Sequence, residues 1–374
     1  MTPVRRLSRV RRPHLTRSTA ALAATTIAIV ATALLAGFRV DLYNVTPNDP
    51  AARDSELITD DVVGIRTFVP GDAVTVTTDI RYGTQPDGAL LTLDVCSPAS
   101  AFQTDAAAAA TPVTALPGAP TDAGTTEAAT PPEAAASVNV ETQALLPAVI
   151  SVHGGSWARG DKGNSDWRLV CQWLASEGFV AYSVNYRLVP DATFPAAIDD
   201  LQLAVEWMRD PGNAAKYGID PNRIGAFGGS AGGNLVALLG TRGSGALTAG
   251  SRVAAVAELS GPVDLRASGL VNAVDGLTRI TREYLGCDSI NRCTQSVDAS
   301  ASSRLDRSDP PAFIGTSSDE FIPVSQSTDF AAQLDRVGIR TELVVVPGDL
   351  HSIGILDEGM RARVAAFLHA ELGR

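Results

Sequence analysis

From Leu145 to the C-terminus, short and almost uninterrupted apolar runs alternate with longer segments whose apolar residues recur every three or four positions. The runs 147–152, 179–185, 223–227, 253–259, 312–316 and 341–346 predict strands, and their near-continuous apolar content predicts cover on both faces. Between them, 167–177 reads as a helix closed by Gly178. A second helix spans 194–209: Pro195 suits its first turn, and Ile198, Leu201, Val205 and Met208 form one stripe while Asp199 and Asp200 face elsewhere. A third helix pattern covers 233–239. Such alternation is the signature of a parallel sheet wrapped by helices. Upstream, 74–82 and 89–96 predict two further strands, joined as a hairpin by the turn-rich 83–88.

Two stretches break this pattern. Residues 97–144 hold sixteen Ala, eight Thr and six Pro in 48 positions, with no base, too few large apolar side chains to offset the entropy of ordering. They are expected to form a flexible insertion within one domain. Residues 20–38 carry no charge and follow a leader (1–19) with six arginines and no acid. The run is about long enough to cross a hydrocarbon core as a helix. A signal anchor is preferred over a signal peptide cleaved at Ala31-Thr32-Ala33, because the apolar run continues to Phe38 without a polar break. In either case the arginines keep the N-terminus inside and send the rest out, as a membrane-anchored or a secreted chain. Residues 39–73 read as an irregular lead-in to a catalytic domain at 74–374.

Charge sharpens this division. The formal net charge is -11, but removing the six leader arginines leaves 24 basic against 41 acidic side chains, a balance of -17 that argues against a nucleic-acid partner. Four cysteines in an exported chain permit disulfides. Cys287 and Cys293 enclose a short loop and are the preferred pair; Cys96 and Cys171 are the weaker pair, and three pairings are formally open. Neither spacing is CxxC and no histidine lies nearby, so no metal site is expected.

Candidate chemistry collects in the loops after the strands. Gly228-Gly229-Ser230-Ala231-Gly232 is G-x-S-x-G between a strand and a helix pattern, the context of a nucleophile elbow, with Gly228 and Gly232 leaving room for a sharp turn and an exposed hydroxyl. An activated serine needs a base that titrates near neutrality. Of four histidines, His14 is in the leader, His153 opens a glycine turn and His369 lies in a terminal amphipathic helix, so His351, in a loop after a strand, is the candidate. Asp319, the first acid after strand 312–316, is the preferred partner of the imidazole, with Glu320 and Asp309 as competitors. His153-Gly154-Gly155-Ser156-Trp157 follows another strand and offers backbone N–H groups for a developing oxyanion.

These segments, HGGSW at 153–157, NYRLVPDATFPAAIDD at 185–200, GGSAGGN at 228–234, SDEFIP at 318–323 and PGDLH at 347–351, resemble the α/β-hydrolase superfamily. The branch they resemble holds hormone-sensitive-lipase-like carboxylesterases and the feruloyl and acetyl xylan esterase-like enzymes. The resemblance covers residues 74–96 and 145–374. It implies a mostly parallel eight-stranded sheet flanked by helices, with a small cap at 262–309. It further implies a serine carboxylic-ester hydrolase acting through an acyl-enzyme on a small to medium ester, with no cofactor. Ser230 would be the nucleophile, Asp319 the acid, His351 the base, and Gly155, Ser156 and Ala231 the oxyanion donors, with Gly154 needed for the turn. Gly229 and Ser156 stand where lipase-like members often have aspartate and a third glycine; only backbone atoms matter there. A prolyl-oligopeptidase-type peptidase or amidase shares the core, but its propeller does not fit in the roughly 35 residues between Arg39 and Val74. A non-catalytic binding module would be expected to have lost part of the triad.

Overall fold

A computed structural model describes residues 62–99 and 144–373. The leader, the apolar segment 20–38, the lead-in through residue 61 and residues 100–143 of the insertion lie outside the described residues, as do the expectations attached to them. Among the described residues no helix is long and apolar enough to cross a membrane.

All eight expected strands form: β1 (Val74–Thr84), β2 (Leu90–Pro98), β3 (Leu146–Val152), β4 (Val180–Val184), β5 (Ile219–Gly229), β6 (Ala255–Leu259), β7 (Ala312–Ser317) and β8 (Thr341–Val346). They make one sheet in the order β1-β2-β4-β3-β5-β6-β7-β8. The β1–β2 and β2–β4 pairings are antiparallel and every other pairing is parallel. The helices are α1 (Ser165–Ser176), α2 (Ala196–Arg209), α3 (Pro211–Tyr217), α4 (Ala231–Thr241), α5 (Asp275–Leu285), the single turn α6 (Gln295–Asp298), α7 (Ser325–Val337) and α8 (Glu358–Leu372).

The period-two rule of strands assigns the layers. Ile150, Tyr182 and Ala226 point to the face packed by α2 and α4, through Ile198, Leu201, Leu235 and Leu238. Val149, Ala181 and Phe227 point to the other face, against Trp167, Leu174, Val364 and Leu368 of α1 and α8. Ala312 and Ile314 of β7 meet Phe330 and Leu334 of α7.

Three expectations change. Asp200 does not face away from the core: it is buried and accepts both guanidinium and backbone hydrogen bonds from Arg187, at 2.8–3.0 Å. Strand β8 is at the sheet edge and alternates in burial, so Leu343 and Val345 remain exposed. The lead-in is not wholly irregular; a 3-10 turn at Gly64–Thr67 inserts Ile65 into the α1/α8 layer, and Arg66 pairs with Asp166 at 2.8 Å.

Both cysteine pairs are bonded, Cys96–Cys171 joining β2 to α1 and Cys287–Cys293 closing the loop after α5. The segment 262–309 packs by α5 onto the loops after β3 and β7, where Tyr284 stacks on Trp157 with ring centroids 4.4 Å apart and Leu277 packs with Ile322.

Candidate active site

The turn at Ser230 follows from how little chain is left for it. Strand β5 runs to Gly229 and α4 begins at Ala231, so Ser230 alone reverses direction, at φ 54° and ψ −122°. A non-glycine residue there costs on the order of 1–3 kcal/mol and persists only where its surroundings over-determine it. Here they do: the Ser230 amide donates to Leu259 O at 2.8 Å. A Cβ on Gly228 would fall 2.4 Å from Gly232 O, and one on Gly232 would fall 2.1 Å from Val152 O. The two glycines of the motif are therefore demanded by backbone contact between helix, turn and neighbouring strand.

His351 begins the 3-10 turn after β8 and is buried. Its place beside the serine follows from their neighbours: a Cβ on Gly229 would lie 2.1 Å from Ser352 Oγ, so the residue before Ser230 touches the residue after His351. Nε2 of His351 is buried with no hydrogen-bond partner among the described residues, which leaves it open to take a proton. Phe321 packs obliquely on the imidazole, 4.4 Å between centroids.

The carboxylate on Nδ1 belongs to Glu320, not Asp319. Glu320 Oε2 meets His351 Nδ1, and Glu320 Oε1 accepts from Ser260 Oγ at 2.7 Å, Thr316 Oγ1 at 2.9 Å and the Ser317 amide at 3.1 Å. Asp319 is exposed; its carboxylate accepts from the Ser318 hydroxyl at 2.6 Å, and its amide pins the Gly348 carbonyl. The reason is a tight turn after β7 that folds residue 320 back over Thr316 and Ser317 and leaves residue 319 on the outside. Asp309, the other competitor, pairs instead with Arg252, at 3.7 Å. Burial by itself would raise the Glu320 carboxyl, but the hydrogen bond and charge of His351, with Ser260 and the Ser317 amide, outweigh it and hold it below its usual range.

The remaining expected residues line the neighbouring loop. Gly155, Ser156 and Trp157 all have positive φ, at 110°, 58° and 57°. A Cβ on Gly155 would fall 2.2 Å from Arg159 O. Among the described residues, the amides of Gly155, Ser156 and Ala231 donate to no backbone carbonyl. For Ala231 this follows from its place at the start of α4. His153 is structural: Nδ1 lies 2.7 Å from Gly154 O, its ring stacks on Tyr186, and burial pushes it down to about 4 against the raising effects of Gly154 O and Asp161. Lys162, one of only two lysines, ties this loop to the β1–β2 hairpin through Asp79 at 2.8 Å and Asp94 at 3.1 Å.

Sequence reasoning missed Ser260, which binds Glu320 and accepts from the Ser352 amide at 2.9 Å. Its signal was slight, a polar Ser-Gly pair at the end of the apolar run 253–259. Among the described residues no cluster of side chains could hold a metal ion.

An elbow serine, a carboxylate-held histidine and amides that, among the described residues, meet no backbone carbonyl, at the carboxyl ends of a mostly parallel sheet, define the α/β-hydrolase class. The BD-FAE family model matches residues 137–334, more than half of the chain, and the chain belongs to that family. It is 41% identical over 100 residues to arylacetamide deacetylase of Bos taurus, covering 26% of this chain and 25% of that protein. To Esterase LipC of Mycobacterium tuberculosis it is 32% identical over 238 residues, covering 60% and 56%. The match thus spans a quarter of the deacetylase and just over half of LipC. A truncated carbohydrate esterase from gut microbiota shares the fold, with TM-score 0.59 at 23% identity over 82% of this chain and 99% of that one.

Proposed function

We propose that the chain is a carboxylic-ester hydrolase in which Ser230 is the nucleophile, His351 the general base and acid, and Glu320 the carboxylate that fixes the imidazole. Ser230 Oγ attacks the ester carbonyl as its proton passes to His351 Nε2. The carbonyl oxygen gains the negative charge and is met by the amides of Gly155, Ser156 and Ala231, each such donor being worth about 3 kcal/mol of barrier. Collapse breaks the bond to the alcohol, which leaves with the proton from Nε2. Water repeats the path on the acyl-serine and releases the acid. Glu320 stays ionised throughout and steadies the imidazolium.

The observation that carries this reading is the Glu320–His351 pair, with Nε2 left open one residue away from the Gly229–Ser352 contact. The names of the relatives, a deacetylase and esterases, support acyl transfer to water. Segment 262–309, which covers Trp157 with Tyr284, supports a cap that limits the substrate to a small or medium ester. Two paired disulfides and the arginine-rich leader before residues 20–38 support action outside the cytoplasm, anchored or secreted. Ser230→Ala should abolish p-nitrophenyl acetate turnover in a protein with unchanged circular dichroism. A mutant retaining the wild-type rate would overturn the assignment.

A further inference from the structure

Beneath the site lies a carboxyl group that the proposed mechanism does not use. Glu258 is on β6, flanked by Gly228 of β5 and Ile314 of β7 in the sheet register, and is fully buried. Its Oε2 accepts from the Gly261 amide at 2.7 Å, and its Oε1 is buried with no partner among the described residues. The contact braces a four-residue turn, 258–261, that is the hub of the site. Leu259 O holds the Ser230 amide, while Ser260 Oγ binds Glu320 and receives the amide of Ser352, next to His351. Ser260 sits at φ 55°, a strained conformation that needs such bracing. A Cβ on Gly261 would fall 2.5 Å from Glu258 Oε2, so turn and side chain fit without slack.

Resting on the Ser230–His351–Glu320 reading, we propose that Glu258 is a positioning residue which, while it carries its proton, holds the 258–261 turn so that serine, histidine and acid stay in register. Loss of the proton leaves a charge on a side chain with one donor and, among the described residues, no counter-ion, within reach of the Glu320 charge. Among the described residues, Gly228, Ile314, Gly233, Asn234 and Gly261 around it carry no charge, and the charge that bears on it is that of Glu320, with His351 on the far oxygen. Burial, with the Glu320 charge added, pushes the Glu258 carboxyl up to about 8 despite the Gly261 amide. The site should therefore lose rate reversibly on the alkaline side, through a proton that belongs to none of the three reacting residues.

The test is the pH profile of kcat on p-nitrophenyl acetate for wild type, Glu258→Gln and Glu258→Leu. Glu258→Gln keeps an acceptor for the Gly261 amide and cannot ionise. It should hold plateau kcat within about twofold of wild type and lose the alkaline fall near pH 8. Glu258→Leu removes the acceptor and should lower kcat about tenfold at every pH with KM little changed. A Glu258→Gln profile that falls as the wild type does overturns the inference. The wild type also tests it alone: the rate of Ser230 labelling by a fluorophosphonate should decline with a midpoint near pH 8, and a rate still level at pH 9.5 overturns it whether or not the variants fold. Failure of the underlying reading looks different, because Ser230→Ala would then stay active.

Discussion

Replacing Glu320 by Gln changes one atom and conserves shape, yet neither orientation of the amide fits its surroundings. With the amide nitrogen in the place of Oε2, an N–H group points at His351 Nδ1. The ring must then accept there and carry its proton on Nε2, the nitrogen that has to take the serine proton. With the amide nitrogen in the place of Oε1, it meets the donors Ser260 Oγ, Thr316 Oγ1 and the Ser317 amide. The two hydroxyls can rotate away, but the backbone amide cannot. The side chain has no exposure, so water cannot relieve either mismatch. An imidazole held in the wrong tautomer typically loses about 10⁴ in kcat, on the order of 5 kcal/mol of transition-state stabilisation. Asp319→Asn, on an exposed side chain whose partner is the Ser318 hydroxyl, should stay within about twofold, since exposed polar replacements are usually within about 0.5 kcal/mol. The assay is steady-state hydrolysis of p-nitrophenyl butyrate near neutral pH, with thermal melts to show that both variants are folded. A loss of three or more decades in Asp319→Asn with near-normal Glu320→Gln would make Asp319, not Glu320, the working carboxylate.

Three further outcomes are expected. Asp200→Asn strips the half-buried Arg187 guanidinium of its counter-charge and should cost about 1.5–3 kcal/mol in urea unfolding, with the loop from Tyr186 to Pro195 the first to lose amide protection. Removing the Cys96–Cys171 bridge as a double serine variant opens a loop of 75 residues, for which chain entropy gives about 4.5 kcal/mol; the Cys287–Cys293 bridge, closing six, should matter by about half as much. Glu258 has a native pKa raised to about 8, so its unfolded form ionises first and the native state loses stability as pH climbs from about 4.5 to 8, by up to about 1.4 kcal/mol per pH unit. Glu258→Gln should remove that slope, and an unchanged slope in urea titrations at pH 5, 6.5 and 8 would contradict it.

How far the sequence could be read depends on what each residue's role rests on. Ser230, Gly228 and Gly232 were legible because an elbow imposes fixed local spacing, and the two glycines are required by contacts four residues along the chain or at the end of the adjacent strand. His351 was legible by elimination among four histidines. The acid was not, because Asp319 and Glu320 are adjacent and both follow the same apolar run. What separates them is one residue of strand, since β7 continues through Ser317 and the next turn carries position 320 inward. The stripe of α2 was predicted correctly, Ile198, Leu201, Val205 and Met208 all being fully buried. Its neighbour Asp200 was misplaced because its burial depends on an arginine thirteen positions upstream, a tertiary fact that helical periodicity cannot express. The exposure of β8 was likewise invisible, since an edge strand and a central strand of the same composition differ only in their neighbours.

Activation of Ser230 by a histidine that Glu320 fixes can be read from fluorophosphonate labelling of the folded protein followed by peptide mass mapping. Stoichiometric modification on Ser230 is expected in the wild type and in Asp319→Asn, with labelling slowed by three or more decades in Glu320→Gln. Modification at another serine, or equal labelling of Glu320→Gln and wild type, would contradict it.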